Sequence, residues 1–337
     1  MRRSSILYTI LAILLLWLAF RQVSPAAIVP LFQQIRGDQL SILLLLNGLV
    51  LGTLVLRWHL LLRAEGYRVP LLALLRYRLA AFGVTYFTPG PQFGGEPLQV
   101  LFLKQQHAIP LQSAIATVTM DKVLEMVANF GFLVGGALLL LRQGMIPQRI
   151  GMQGLSVGLL LFALPLTLLI AYLQGRQPLS ALVRGTERMM PKPWRRGDQA
   201  WVRRAAAALY ESEQQIAALC RHQPRHLVWS AFVTVVGWGL MIGEFAYAAR
   251  IFGTSLTATE VTMVLVAARI AFLLPMPAGI GTLETSLTLA FQLLGLPPAT
   301  GLALSLLIRA RDVSLGLLGL SLGGITFLTQ QDLRGLQ

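Results

Sequence analysis

The sequence predicts an all-α polytopic membrane protein, with about six full spans and two re-entrant helical hairpins arranged as an inverted repeat. Three observations lead there. Only 12% of the 337 residues are charged while 55% are hydrophobic, and soluble domains carry about 25% charged residues, so this chain cannot cover a soluble globule of its length. Its apolar residues fall in long runs of membrane-spanning size. Two of those runs are cut by Pro/Gly loops that each end in a glutamate.

The net charge of +14 does not mark a nucleic-acid binder, because the Lys and Arg residues collect in loops between apolar runs. That is the positive-inside distribution, and such loops also hold anionic lipid headgroups. The single cysteine, Cys220, excludes an internal disulfide. Cys220, His222 and His226 read as polar residues closing a surface helix before Pro224, not as a metal site. There is no His-Glu-x-x-His, no phosphate-binding P-loop and no Gly-x-Ser-x-Gly. The expectation is therefore a non-enzyme with no metal and no cofactor.

The elements follow in order. Arg2 and Arg3 precede an apolar run at 5–20, and the poor cleavage site Ser24-Pro25-Ala26-Ala27 makes this an uncleaved first span rather than a signal peptide. A short loop carries Arg21, Arg36 and Asp38, and a second span covers 39–62. Arg57, Arg63, Arg68, Arg76 and Arg78 then put the 63–70 loop and the N-terminus on the cytoplasmic side. The apolar piece at 71–87 stops at Thr88-Pro89-Gly90-Pro91, and a short one resumes after Gly94-Gly95-Glu96-Pro97 and ends at Lys104. Neither piece is a clean span; together they form a hairpin that enters and returns. Broken backbone survives at that depth only inside protein or against a wet cavity.

Spans at 111–141 and 152–173 come next. The basic segment 174–226 is cytoplasmic, and within it 198–221 reads as an amphipathic helix with Trp201, Ala205, Leu209, Ile216 and Leu219 on one side. It either lies on the membrane or packs on the bundle. A span at 227–250 follows. The piece at 261–274 breaks at Pro275-Met276-Pro277-Ala278-Gly279-Ile280-Gly281 and resumes at 283–294, a second hairpin entering from outside. The last span, 300–328, leads to a cytoplasmic C-terminus. The whole of 1–337 is read as one integral domain of a bacterial-type inner membrane, with a first repeat at 39–173, the cytoplasmic loop 174–226 and a second repeat at 227–329.

The repeat rests on order. Each broken loop (Pro89, Gly90, Gly94, Gly95; Pro275, Pro277, Gly279, Gly281) precedes a glutamate, Glu96 or Glu284. A short helix, a proline (Pro110 or Pro297) and a charged long helix follow each time. Counting from those prolines, Lys122 falls opposite Arg309 and Glu125 opposite Asp312. Inverted repeats with discontinuous helices are a recurring design of secondary transporters.

Buried charge costs about 2.5–3.5 kcal/mol per residue at a helix centre on insertion scales, so the intramembrane charges need a purpose. Lys122 and Glu125, and Arg309 and Asp312, lie three apart and can neutralise each other on one helix face. In that reading Asp121, Glu125 and Asp312 are charge partners that lock the bundle. In the other, Lys122, Arg269 and Arg309 form a cationic phosphate site, for which the planar fork of Arg is well shaped. Glu96 and Glu284 are either first-turn residues favoured by the helix dipole or gates and proton carriers that meet at the hairpin tips. The loop glycines either allow tight turns or expose backbone N–H groups to an anion.

The ordered set Pro89-Gly90-x-x-x-Gly94-Gly95-Glu96-Pro97, Asp121-Lys122-x-x-Glu125, Pro275-x-Pro277-x-Gly279-x-Gly281-x-x-Glu284 and Arg309 resembles the membrane module of the bacterial lysylphosphatidylglycerol synthase/flippase family, over about 40–328. The resemblance implies a multi-span protein acting on lipids, moving an anionic or modified phospholipid, or a polyprenyl or glycolipid, between leaflets. The family's soluble aminoacyl-transferase domain does not follow in this sequence, so lysylation is not carried over. An Arg often follows the family's first Pro-Gly, whereas Pro91 and Gln92 stand here. The expected function is a lipid translocase with membrane phospholipids as partners. The alternatives are a non-transport subunit supporting a lipid-modifying or glycosyl-transferring enzyme, a membrane-embedded enzyme using the paired acids, and a transporter of soluble solutes.

Overall fold

The structure, a computed structural model, describes residues 25–88, 94–189, 200–274, 276 and 279–334. The expected span at 5–20 lies outside them, as do Pro89, Gly90, Pro275 and Pro277. Every regular element among the described residues is a helix: α1 (Pro25–Gln33), α2 (Gly37–Ala64), α3 (Leu71–Phe87), α4 (Glu96–His107), α5 (Leu111–Arg142), α6 (Gln148–Leu173), α7 (Pro178–Met189), α8 (Ala200–His222), α9 (Pro224–Ile251), α10 (Ala258–Leu273), α11 (Thr282–Leu293) and α12 (Pro298–Arg334).

Length separates two kinds of helix. Helices α2, α5, α6 and α9 are long and apolar enough to cross a membrane. At 1.5 Å per residue, even α6 runs about 39 Å, against a hydrocarbon core of about 30 Å. Helix α12 has 37 residues and carries Arg309, Arg311 and Asp312 along its length. By contrast, α3, α4, α10 and α11 have 17, 12, 16 and 12 residues, about 18–26 Å each. These four are half-length pieces, joined in pairs across the Pro/Gly loops. The chain is a multi-pass, all-α membrane protein.

Small residues set the helix crossings. Thr53 of α2 lies against Gly237 of α9, and Asn47 and Glu244 of the same two helices both bind Arg311. One index falls as the other rises, so α2 and α9 run antiparallel. Helix α12 crosses α3 the same way, with Gly319 against the Leu79 carbonyl and Gly316 against Tyr86 and Phe87. Glycine at such crossings lets two backbones approach within van der Waals contact. Helix α10 packs on α5 where Val266 and Thr262 cover Gly136.

The two largest apolar cores each gather one half of the chain. Trp58, Leu62, Leu74, Phe102, Leu103 and Val118 interlock α2 to α5, while Phe245, Val264, Leu265, Leu287, Phe291 and Leu304 do so for α9 to α12. Facing outward are rows such as Val228, Phe232 and Val235 of α9, exposed at 67%, 55% and 70%. Their spacing of three and four makes one stripe. In water such a patch would drive association; here it is the face turned to lipid.

Two segments differ from the sequence expectation. The stretch 21–38, expected as a loop, contains α1, because Ile28 and Phe32 lie four apart and both join the apolar core of the second half (Phe32 stacks edge-on to Phe252, just past α9, at 5.4 Å). Among the described residues the segment 174–226 holds two helices rather than the single one expected. Helix α8 packs on the bundle: Ile216, Leu219 and Cys220 are buried with Leu61, Met120 and Tyr172. Buried Glu213 then fixes α7, accepting hydrogen bonds from the backbone N–H groups of Leu179 (2.9 Å) and Ser180 (2.7 Å) and from the Tyr172 hydroxyl (3.1 Å). A carboxylate there satisfies first-turn donors that the helix itself leaves open.

Burial pushes the Cys220 thiol up to about 11. The thiolate is the reactive form, so the raised value leaves far less of it at neutral pH than an ordinary exposed thiol has. A thiol-specific fluorophore should therefore label the native protein slowly and the unfolded protein fast. Equal labelling rates before and after denaturation would contradict the docking of α8. The same contrast makes Cys220 a built-in unfolding reporter.

Candidate functional site

Helices α2, α3, α5, α9, α10 and α12 surround a cavity of about 350 Å³, with the start of α4 at its wall. Five cations line it: Arg57, Arg78, Lys122, Arg269 and Arg311. Five carboxylates do so as well: Glu96, Asp121, Glu125, Glu244 and Asp312. Apolar surface, including Phe130, Trp238, Met241 and Phe272, completes the lining.

One group of charges is centred on α5. Asp121 and Glu125 lie one turn apart on one face and clamp two guanidinium groups. Arg57 reaches Asp121 at 2.6 Å and Glu125 at 3.2 Å; Arg78 reaches them at 2.8 and 3.2 Å. Arg57 and Asp121 are almost fully buried, so each needs the other. Lys122 bridges Glu125 at 3.0 Å and Glu96 at 3.1 Å. The second Glu96 oxygen accepts the Gly94 N–H at 2.8 Å. Helix α4 starts pressed against α3: a Cβ on Gly95 would overlap the Ala81 carbonyl, which is why glycine stands there. Three positive and three negative groups close on one another.

A second group is centred on α12. Buried Glu284 binds Arg309, with one bond at 2.9 Å, and also accepts the Gly281 N–H at 2.9 Å. Gly281 sits at φ 80°, in the left-handed region that favours glycine. Arg309 donates further to the Gly279 carbonyl at 3.1 Å. Two residues on, Arg311 binds Asp312 at 2.8 Å, Asn47 at 3.0 Å and Glu244. It thereby ties α12 to α2 and α9.

Arg269 differs from all of these. Among the described residues no carboxylate lies within salt-bridge distance of it. Its guanidinium stands 4.9 Å from the centre of the Trp238 ring and contacts the Met241 sulfur. Both contacts are soft and leave the positive charge uncancelled.

The residues expected from sequence are therefore distributed as follows. Lys122 and Arg269 line the cavity, whereas Arg309 is not among its lining residues; the three do not converge on one point. Lys122 pairs with Glu125 as its spacing suggests, but Arg309 does not pair with Asp312. The two-point fork onto Glu284 holds Arg309, and Asp312 turns to Arg311 instead. Glu96 and Glu284 do not meet each other. Each is held by a cation of the long helix that follows it, and each accepts a loop N–H. Gly94, Gly95, Gly279 and Gly281 lie at the two loop ends. Arg57 and Arg78, taken from sequence as cytoplasmic anchors, are buried on Asp121 and Glu125. A signal for them existed: two acids one turn apart in an apolar helix require counter-charges, and Arg57 and Arg78 each interrupt an apolar run.

Comparisons with known proteins fit this architecture. Two relatives are archaeal. One, a UPF0104 membrane protein of Methanothermobacter thermautotrophicus, is 21% identical over 281 residues, covering 81% of each chain. The other, a UPF0104 membrane protein of Pyrococcus horikoshii, is 24% identical over 307 residues, covering 88% of this chain and 89% of the relative. No solved structure matches. Residues 5–319 match the lysylphosphatidylglycerol synthase TM region, which takes in both broken hairpins and both charged long helices, and the chain belongs to that family.

Proposed function

We propose that this chain is a lipid translocase rather than an enzyme, moving a phospholipid or related lipid between leaflets through a cavity between two inverted halves. The observation that carries the proposal is Arg269: a cation without a carboxylate at salt-bridge distance, facing a chamber whose four other cations are all ion-paired. An unneutralised guanidinium at membrane depth is costly, and a phosphate matches it in charge and in shape.

The inverted repeat is supported by three features. Helices α2 and α9, which open the two halves, are antiparallel. Lys122 and Arg309 stand at the same count from Pro110 and Pro297, and each holds the glutamate of its own hairpin. Packing of α3 on α12 has its counterpart in packing of α10 on α5. Half-length helices around a central site are what a rocking or gating transporter uses. The chain is taken as one integral domain. The basic residues of 63–76 and 174–226 support cytoplasmic placement of those segments and of both termini, in a cell membrane.

Proteoliposomes holding the purified protein, with acyl-labelled phospholipids, test the reading. Movement well above that of empty liposomes is expected, and Arg269→Gln should reduce it at least about tenfold, as removal of a charge that binds phosphate would. If no lipid moves faster than in protein-free vesicles, the translocase reading is wrong, and a supporting subunit for a lipid-modifying enzyme takes its place.

A further inference from the structure

The cavity charges do more than attract an anion. The α5 group closes on itself, three against three. What remains is unequal at its two ends. Arg269 contributes one uncancelled positive charge. Arg311, a single cation, is shared by Glu244 and Asp312, which leaves one negative charge over. Both carboxylates are more than nine-tenths buried yet line the chamber. Each binds Arg311 through one oxygen, and the other oxygen has no hydrogen-bond partner among the described residues. Those free oxygens are also absent from the buried polar atoms shut away from any partner, so they open onto the cavity. Arg269 lies within electrostatic reach of Glu125, Asp312 and Glu244. The chamber is thus neutral overall but dipolar.

We infer that the site is built for a zwitterion: a phosphodiester whose headgroup carries one protonated amine. The phosphate lies on Arg269 beside Trp238, and the ammonium on the free oxygens of Glu244 and Asp312. A headgroup of this kind fits a chamber of about 350 Å³ while its acyl chains stay in lipid. It would fill both unpaired charges at once. An anionic headgroup without the amine would satisfy Arg269 and leave its neighbours negative, and like charges brought together disfavour binding. This inference rests on the lipid-handling reading and narrows it.

Two experiments test it. In proteoliposomes, acyl-labelled phosphatidylethanolamine should move at least about tenfold faster than phosphatidylglycerol, the penalty expected for an unmatched charge. Glu244→Gln and Asp312→Asn should each narrow that ratio; two variants guard against one failing to fold, which Cys220 labelling reports. Phosphatidylglycerol moving as fast as phosphatidylethanolamine, or a ratio untouched in both folded variants, overturns the inference while leaving translocation intact. In detergent, unfolding midpoints read through Cys220 should rise more with short-chain phosphatidylethanolamine than with short-chain phosphatidylglycerol. This holds even if no lipid moves, so a failed translocase and a failed zwitterion site are told apart. Equal stabilisation by both lipids overturns the inference. Glycerophosphoethanolamine, which lacks acyl chains, separates the sources: weaker stabilisation than by the lipid supports a lipid headgroup, and equal stabilisation assigns the site to the soluble phosphodiester and overturns the lipid assignment.

Discussion

Asp121→Asn should cost about 3–5 kcal/mol of stability, the usual penalty for removing one member of a buried ion group. Asp121 is 4% exposed and takes a bond from each of Arg57 and Arg78. An amide keeps the shape and loses the charge, so two guanidinium groups would then share Glu125 with Lys122. Because Arg57 sits on α2, Arg78 on α3 and Asp121 on α5, the loss falls on the joint that gathers the first half. A fall of the unfolding midpoint in micelles, followed through Cys220, is the measurement. Glu125→Gln should cost less, since the Glu125 side chain is 35% exposed and water can reach the groups it leaves. If Asp121→Asn melts with the native protein, Asp121 is not the centre of this cluster.

Gly319→Ala should break the seam between α3 and α12 at a cost of about 1–3 kcal/mol, as overpacking does. A methyl group there would run into the Leu79 carbonyl, which is backbone and cannot rotate away. The helices must separate, and the neighbouring contacts of Gly83 and Gly316 open with them. Gly154→Ala on α6 is the matched control. It meets nothing within 4 Å and gains helix propensity of up to about 1 kcal/mol, so it should be neutral or stabilising. Equal midpoints for the two variants would show that the α3–α12 crossing is not tight in the membrane protein.

Hydropathy made the long helices and the two broken pairs legible, because span length and Pro/Gly interruptions are local properties of the chain. The i, i+3 pair Lys122–Glu125 was legible for the same reason. Partners across helices were not. Arg309 could reach Asp312 on its own helix or Glu284 on another, and only the three-dimensional placement of Gly279 and Gly281 decides for Glu284. Arg57 and Arg78 sit close to basic loops, so their counts favoured the cytoplasmic edge, whereas the acids of α5 draw them inward. Helix α1 was missed because nine residues give too short a periodic signal, and the packing of Phe32 on Phe252 is non-local.

The order of the ionic partners along the chain bears on how the protein is made. Arg57, Arg78 and Glu96 all precede the α5 charges they bind, and Asn47, Glu244 and Glu284 all precede α12. Each heavily charged helix is therefore synthesised after its counter-charges. A nascent Asp121 or Arg311 can be handed directly to a waiting partner instead of resting in lipid. Circular permutation that places α12 ahead of α2 would reverse this sequence, and membrane insertion of α12 should then become inefficient although every native contact remains available. Unchanged insertion of the permuted chain would show that biogenesis does not depend on synthesis order.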